Sequence, residues 1–146
     1  MTTAIVLQGP PGFGPDVEGE LLLSRDTFSI RYDMDRETGV VSRKAHALEG
    51  LSLAGRIVYF PAVQGGVAAG WAFLALKHRG WAPAGVIFGR TNPVMIQGLV
   101  LAGIPVMHRV SPDPFTVFSP GDRVRMAPAR GVVELVARRG EPRAHQ

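Results

Sequence analysis

From Arg56 to Arg79 the chain runs from an unbroken apolar stretch, Ile57-Val58-Tyr59-Phe60, through a turn, Pro61-Ala62-Val63-Gln64-Gly65-Gly66, into a segment with helical spacing. Apolar residues with no polar alternation read as a strand covered on both faces, the kind found in parallel sheets. A glycine-rich turn from such a strand into a helix leaves backbone N–H groups at the positive end of the helix dipole, where a carboxylate or phosphate can be held. Between Pro61 and Trp81 there is no Ser, Thr, Cys, Asp or Glu. The turn therefore reads as an anion cradle, with Gln64, Gly65, Gly66 and Val67 as its binding residues and no nucleophile or base of its own. Gly65 and Gly66 also suit close packing of helix on strand, and that alternative stays open.

Short apolar runs separated by Gly and Pro continue on both sides. Ala4–Leu7, Val17–Ser24 and Thr27–Ile30 read as strands, with a loop over residues 8–15 and a possible turn at Arg25-Asp26. Residues 35–39 are polar and end in Gly39, a turn leading into Val40-Val41. In the segment 67–78, Val67, Trp71, Leu74 and Ala75 share helical spacing, and Lys77, His78 and Arg79 close it before Gly80. Gly85–Phe88 reads as another strand. Asn92-Pro93 is a helix start, with a cap residue followed by proline in the first turn. Met95, Leu99 and Ala102 carry that helix to Gly103, and Ile104–Met107 follows as a strand. Near the end, Gly121-Asp122 introduces a strand over 123–127, and Ala129-Arg130-Gly131 turns it into a strand over 132–136. The centre is thus β–α–β–α–β, a small parallel sheet with two helices, and the flanking strands add a barrel or second sheet. Both helix N-termini are expected at one crevice, at the carboxyl ends of the strands.

The 146 residues suit one domain, expected over 1–137, with a basic flexible tail over 138–146. Zero cysteines exclude disulfides and any cluster held by this chain's own thiolates. No apolar run reaches the roughly 18 residues of a membrane helix, and Met1-Thr2-Thr3 does not begin a signal peptide. No membrane partner and a cytoplasmic location are the expectations. The sequence pI of about 10.3 invites a nucleic-acid reading. The basic residues are spread along the chain, however, and three of them, Arg138, Arg139 and Arg143, sit in the tail. No stripe of charge with interleaved aromatics appears, so no nucleic-acid partner is expected. Four His and 12 acids show no metal-ligand spacing, so no metal is expected in this chain.

An ordered set of segments carries a family resemblance: Val17-Glu18-Gly19-Glu20, Asp35-Arg36-Glu37-Thr38-Gly39-Val40-Val41, His46-Ala47-Leu48-Glu49-Gly50, Leu53-Ala54-Gly55-Arg56-Ile57-Val58 and Gly80-Trp81-Ala82-Pro83-Ala84-Gly85-Val86-Ile87. Over about Val17 to Leu135 the chain resembles the aconitase X swivelling-domain family, the small subunit or small domain of aconitase X-type hydro-lyases. The resemblance implies a swivelling β/β/α fold like the mobile domain of aconitase. It also implies a separate large subunit whose cysteines hold an iron–sulfur cluster, and a small hydroxy acid as substrate. Members dehydrate compounds such as cis-3-hydroxyproline or, in archaea, phosphomevalonate.

Departures from the family pattern fall on the chemistry. Where the family's loop carries Gly-Arg/Lys-Gly-Ser, with the Ser as expected base, this chain has Val63-Gln64-Gly65-Gly66, and Gly66 stands at the Ser position. A second family Ser aligns with Gly70, and the paired glycines before Asp35 become Tyr32-Asp33. Asp33 is then the candidate for a relocated base, since proton abstraction needs a group within hydrogen-bond reach of the substrate. His46 matches a family position and is a candidate for orienting substrate or a partner residue. Arg90, just ahead of the second helix, is a candidate carboxylate clamp. Asp33 as a turn residue and His46 as a structural histidine are the competing readings. Trp71 and Trp81 suit core or subunit-interface positions. Two functions follow: a dehydratase small subunit, inactive alone and completed by the large subunit, or a non-catalytic swivelling, anion-binding subunit of a larger complex. A phosphohistidine domain would need a reactive His at the second helix start, where Asn92-Pro93-Val94-Met95 has none.

Overall fold

The computed structural model describes residues 5–35, 37–63 and 67–139. Its frame is a seven-stranded sheet built from β1 (Val6–Gln8), β2 (Val17–Leu23), β5 (Ile57–Ala62), β6 (Gly85–Arg90), β7 (Val106–His108), β8 (Arg123–Ala127) and β9 (Val132–Ala137), in the order β1-β9-β8-β2-β5-β6-β7. β2, β5, β6 and β7 run parallel, while β8, β9 and β1 continue the sheet antiparallel from the other side of β2. A small hairpin of β3 (Met34–Asp35) and β4 (Val40–Val41) stands apart.

The two ends of the sheet meet. Phe13 and Val106 exchange backbone hydrogen bonds of 3.0 and 2.9 Å, and Gln8 and Ser111 exchange bonds of 2.9 and 2.8 Å. The loop over 8–15 thus covers the outer edge of β7, which would otherwise expose unpaired N–H and C=O groups. The expected barrel forms by this closure and not as a second sheet.

Strand alternation divides the apolar residues into two cores. Ile57 and Tyr59 of β5 point into the barrel with Leu21, Leu23, Ile87, Met107, Val124, Met126 and Val133. Val58 and Phe60 point the other way, joining Leu22, Val86, Phe88 and Val106 beneath the helices. Both faces of β5 are therefore covered, as its unbroken apolar run requires. On β8 the alternation is simpler: Val124 and Met126 are buried, while Arg123 and Arg125 pair with Glu18, and Arg125 also with Glu134 at 3.3 Å. Such surface pairs contribute little each, about 0–1 kcal/mol, and chiefly keep the strand register.

Helices α2 (Val67–Arg79) and α3 (Pro93–Leu101) cover the second core, with single turns α1 (Ile30–Asp33) and α4 (Pro114–Val117) elsewhere. Asn92 caps α3, its Oδ1 accepting from the Met95 N–H at 2.8 Å, and Met95, Leu99 and Ala102 are buried as expected. Gly80 ends α2 at φ +80°. One expectation fails. Thr27–Ile30 is not a strand: Phe28 makes one bridge to Val63, and the chain then closes a helical turn, with Asp33 and Tyr32 N–H groups on the Ser29 carbonyl. The inward stripe of α2 is Ala72, Phe73 and Leu76, whereas Trp71 is 59% exposed and Ala75 faces solvent. Helix α2 is apolar on nearly every side, so spacing alone did not select the face. Trp81 is half-buried against the helix-side core. Among the described residues no helix is long and apolar enough to cross a membrane.

At the carboxyl end the first two residues of the expected tail are held. Asp122, 1% exposed, accepts from the Ser119 N–H at 2.8 Å, from Arg138 at 2.7 Å and from the Arg139 N–H at 3.2 Å. The clasp ties the end of β9 to the start of β8.

Candidate active-site face

The carboxyl ends of β5, β6 and β7 lie side by side, with Ala62 opposite Arg90 and Phe88 opposite His108. The loops after these strands, and the starts of α2 and α3, therefore share one end of the parallel sheet, the usual ligand-binding end. Gln64, Gly65 and Gly66 lie outside the described residues; Val67 opens α2. At the end of β6, Arg90 is exposed at the rim of a cleft of about 500 Å³ that also includes Thr91, His108 and Arg109.

The Phe28–Val63 bridge brings the Thr27–Asp33 segment to the same end of β5, and the Phe28 ring stacks on Phe60 at 4.4 Å. There the structure unites Asp33 and His46. Asp33 is 1% exposed. Its Oδ2 accepts from the Ser29 N–H at 2.8 Å, its Oδ1 accepts from Arg43 at 3.1 Å, and its carbonyl accepts from the Ser42 N–H at 2.8 Å. The Nδ1 of His46 accepts from the Leu48 N–H at 3.0 Å, which leaves Nε2 to donate to the Thr27 carbonyl at 3.1 Å. His46 Nε2 stands 3.9 Å from Asp33 Oδ2. Both side chains are thus engaged in holding residues 42–48 against residues 27–33, and neither presents a free polar atom to solvent in the chain alone. Arg43, which the sequence reading passed over, closes this clasp from the outside.

Inside the barrel, the surroundings of Tyr59 shift its ionisation. Burial raises the pKa of the Tyr59 hydroxyl above its usual value, and Asp113 acts in the same direction. With the folded pKa raised, this group's contribution to stability is complete below the ordinary tyrosine range, about 10. It is lost as pH climbs through the folded value. Tyr59 is therefore expected to remain a neutral packing residue at physiological pH, and alkaline unfolding is expected to begin earlier for the wild type than for Tyr59→Phe.

The sequence matches the family model described as the aconitase X swivel domain over residues 6–135. The chain belongs to the aconitase X swivel-domain family. It is 36% identical over 121 residues to the phosphomevalonate dehydratase small subunit of Methanococcoides burtonii, covering 83% of this chain and 88% of that protein. It is 32% identical over 130 residues to the small subunit of the same name from Thermococcus gammatolerans, covering 89% and 97%. The crystal structure of Thermococcus kodakaraensis aconitase X, in its holo-form, superposes with a TM-score of 0.81 at 30% identity, covering 89% of this chain and 97% of that one. The swivelling β/β/α architecture is therefore the family's fold.

The resemblance to aconitase X-type hydro-lyases implies an iron–sulfur cluster. The residues of this chain do not fit such a cluster: it has no cysteine, and among the described residues no three His, Asp or Glu side chains converge on a metal position. Thiolate ligands would have to come from outside these 146 residues.

Proposed function

We propose that this chain is the small subunit of an aconitase X-type hydro-lyase that removes water from a small hydroxy acid, with phosphomevalonate, the substrate in its relatives' names, as the first candidate. The observation that carries this reading is the family match over nearly the whole domain, together with small-subunit relatives covered over 88–97% of their length. A large subunit would supply the iron–sulfur cluster and complete the site, and the chain alone would be inactive. Gln64, Gly65, Gly66 and Val67 are proposed as the carboxylate cradle, with Arg90, at the same strand ends, as an anchor for a further anionic group of the substrate. Trp71, exposed on α2, suits burial against the larger partner. Co-purification of the tagged chain from its own host tests the assembly. A larger, cysteine-containing partner with visible iron–sulfur absorption supports the reading; a chain recovered without one counts against it.

For Asp33 and His46 we propose a positioning role, holding residues 42–48 over the strand ends, in place of direct proton abstraction. Asp33→Asn is then expected to lower stability by about 1–2 kcal/mol through its weakened bonds to Ser29 and Arg43. It should reduce turnover of the assembled enzyme by no more than roughly tenfold, since a general base is worth about 10²–10⁴. A fall of a thousandfold or more with an unchanged unfolding midpoint would instead make Asp33 the base. The second reading, a non-catalytic swivelling subunit, is favoured by one observation: glycines stand at 66 and 70, where the family resemblance places hydroxyls.

A further inference from the structure

The cleft at the ends of β6 and β7 holds more positive charge than a carboxylate clamp needs. Arg90 and Arg109 stand exposed at its rim, His108 is half-buried beside them, and among the described residues no carboxylate lines it. Among the described residues neither guanidinium has a hydrogen-bond or ion-pair partner, in a protein whose Arg43, Arg56, Arg123, Arg125 and Arg138 are all paired. Arg109 is also, among the described residues, one of two non-glycine residues in the left-handed region, at φ +55°, and its N–H is held by the Phe88 carbonyl at 3.0 Å. The start of α3 does not make this site, because Asn92 already takes the Met95 N–H. The second, independent feature is Thr91. It lines the same cleft, and its buried hydroxyl oxygen has no hydrogen-bond partner among the described residues, a state that costs free energy until a small movement lets a ligand or solvent supply one.

We infer that this cleft is a phosphate subsite, separate from the glycine loop, that takes the phosphomonoester end of the substrate. A carboxylate is satisfied by one bidentate arginine. A phosphomonoester carries about −1.5 to −2 charges and three terminal oxygens, which calls for several donors of the kind gathered here. The assignment of that phosphate to a substrate rests on the dehydratase reading; the binding chemistry does not.

Titration of the full-length chain with methyl phosphate and, separately, with acetate, followed by heteronuclear NMR, tests it without the large subunit. Saturable methyl phosphate binding is expected, with shifts centred on Thr91 and Arg109 and with acetate weaker. Arg90→Gln and Arg109→Asn should each weaken methyl phosphate about tenfold or more; asparagine is chosen because it tolerates the left-handed backbone. Thr91→Val should raise the thermal midpoint of the free chain while weakening methyl phosphate, whereas a merely structural threonine would lose stability. Absent saturable binding, equal binding of acetate, or unchanged affinity in both arginine variants overturns the subsite. Intact methyl phosphate binding in a chain that supports no dehydration would overturn the dehydratase reading alone. Dehydration of a phosphate-free hydroxy acid by a chain that does not bind methyl phosphate would overturn the subsite alone.

Discussion

Phe60→Ala is expected to destabilise the domain by about 4 kcal/mol, within the range of about 3–5 kcal/mol for a fully buried phenylalanine. Phe60 is completely buried on the helix-facing side of β5. Its ring lies 4.4 Å from Phe28, nearly parallel, and 6.4 Å from Phe88. Two rigid neighbours leave little that can collapse into the vacated volume, so the cost should fall in the upper half of that range. The same stack is what pins residues 27–33 to the end of β5, so the Asp33–His46 clasp should loosen with it. Urea unfolding should show a large fall in midpoint with little change in slope, and heating a drop of about 10 °C. A loss below about 1 kcal/mol would mean that the helix side is not packed as described.

Gly131→Ala is expected to cost about 3 kcal/mol, through two separable causes. Gly131 sits at φ +65°, where an L side chain costs about 1–2 kcal/mol. A β-carbon there would also collide with the Gly9 carbonyl oxygen. Relieving that collision pushes apart the β8–β9 turn and the loop after β1, and it breaks the 2.8 Å bond from the Gly9 N–H to the Gly131 carbonyl. Gly80 supplies the control, since its φ is +80° but nothing lies within 4 Å of the added carbon. Gly80→Ala should therefore show the backbone cost alone, about 1–2 kcal/mol. Equal losses in the two variants, measured by denaturant unfolding, would contradict the close approach of the β8–β9 turn to the loop after β1.

Features set by neighbours in the chain were the legible ones. Asn92-Pro93 announced α3, Gly80 ended α2, and the strands over 123–127 and 132–136 followed from the turn residues beside them. What failed depended on distant partners. Phe28 and Ile30 alternate with polar residues as a strand would, yet the turn at Ile30–Asp33 is closed by the Asp33 side chain and by contacts with residues 42–48. The pairing of Phe13 with Val106 joins residues far apart in sequence, through a loop whose prolines and glycines read only as a break. Trp71 and Phe73 are both large and apolar, and only the position of α2 over the sheet decides that Phe73 goes in. On the candidate site, Arg90 was visible from its place before α3. Thr91, His108 and Arg109 were not, because the parallel pairing of β6 with β7 is what brings them to one cleft. Arg138 and Arg139 read as tail charge until the buried Asp122 showed what holds them.

Dehydration measured in a complex reconstituted from this chain and the large subunit of the same organism tests the central claim most directly. Phosphomevalonate is the first substrate to use. The account predicts turnover when both chains are present and none when either is omitted. Formation of the complex without turnover of phosphomevalonate or any other hydroxy acid, or equal turnover by the large subunit alone, would contradict it.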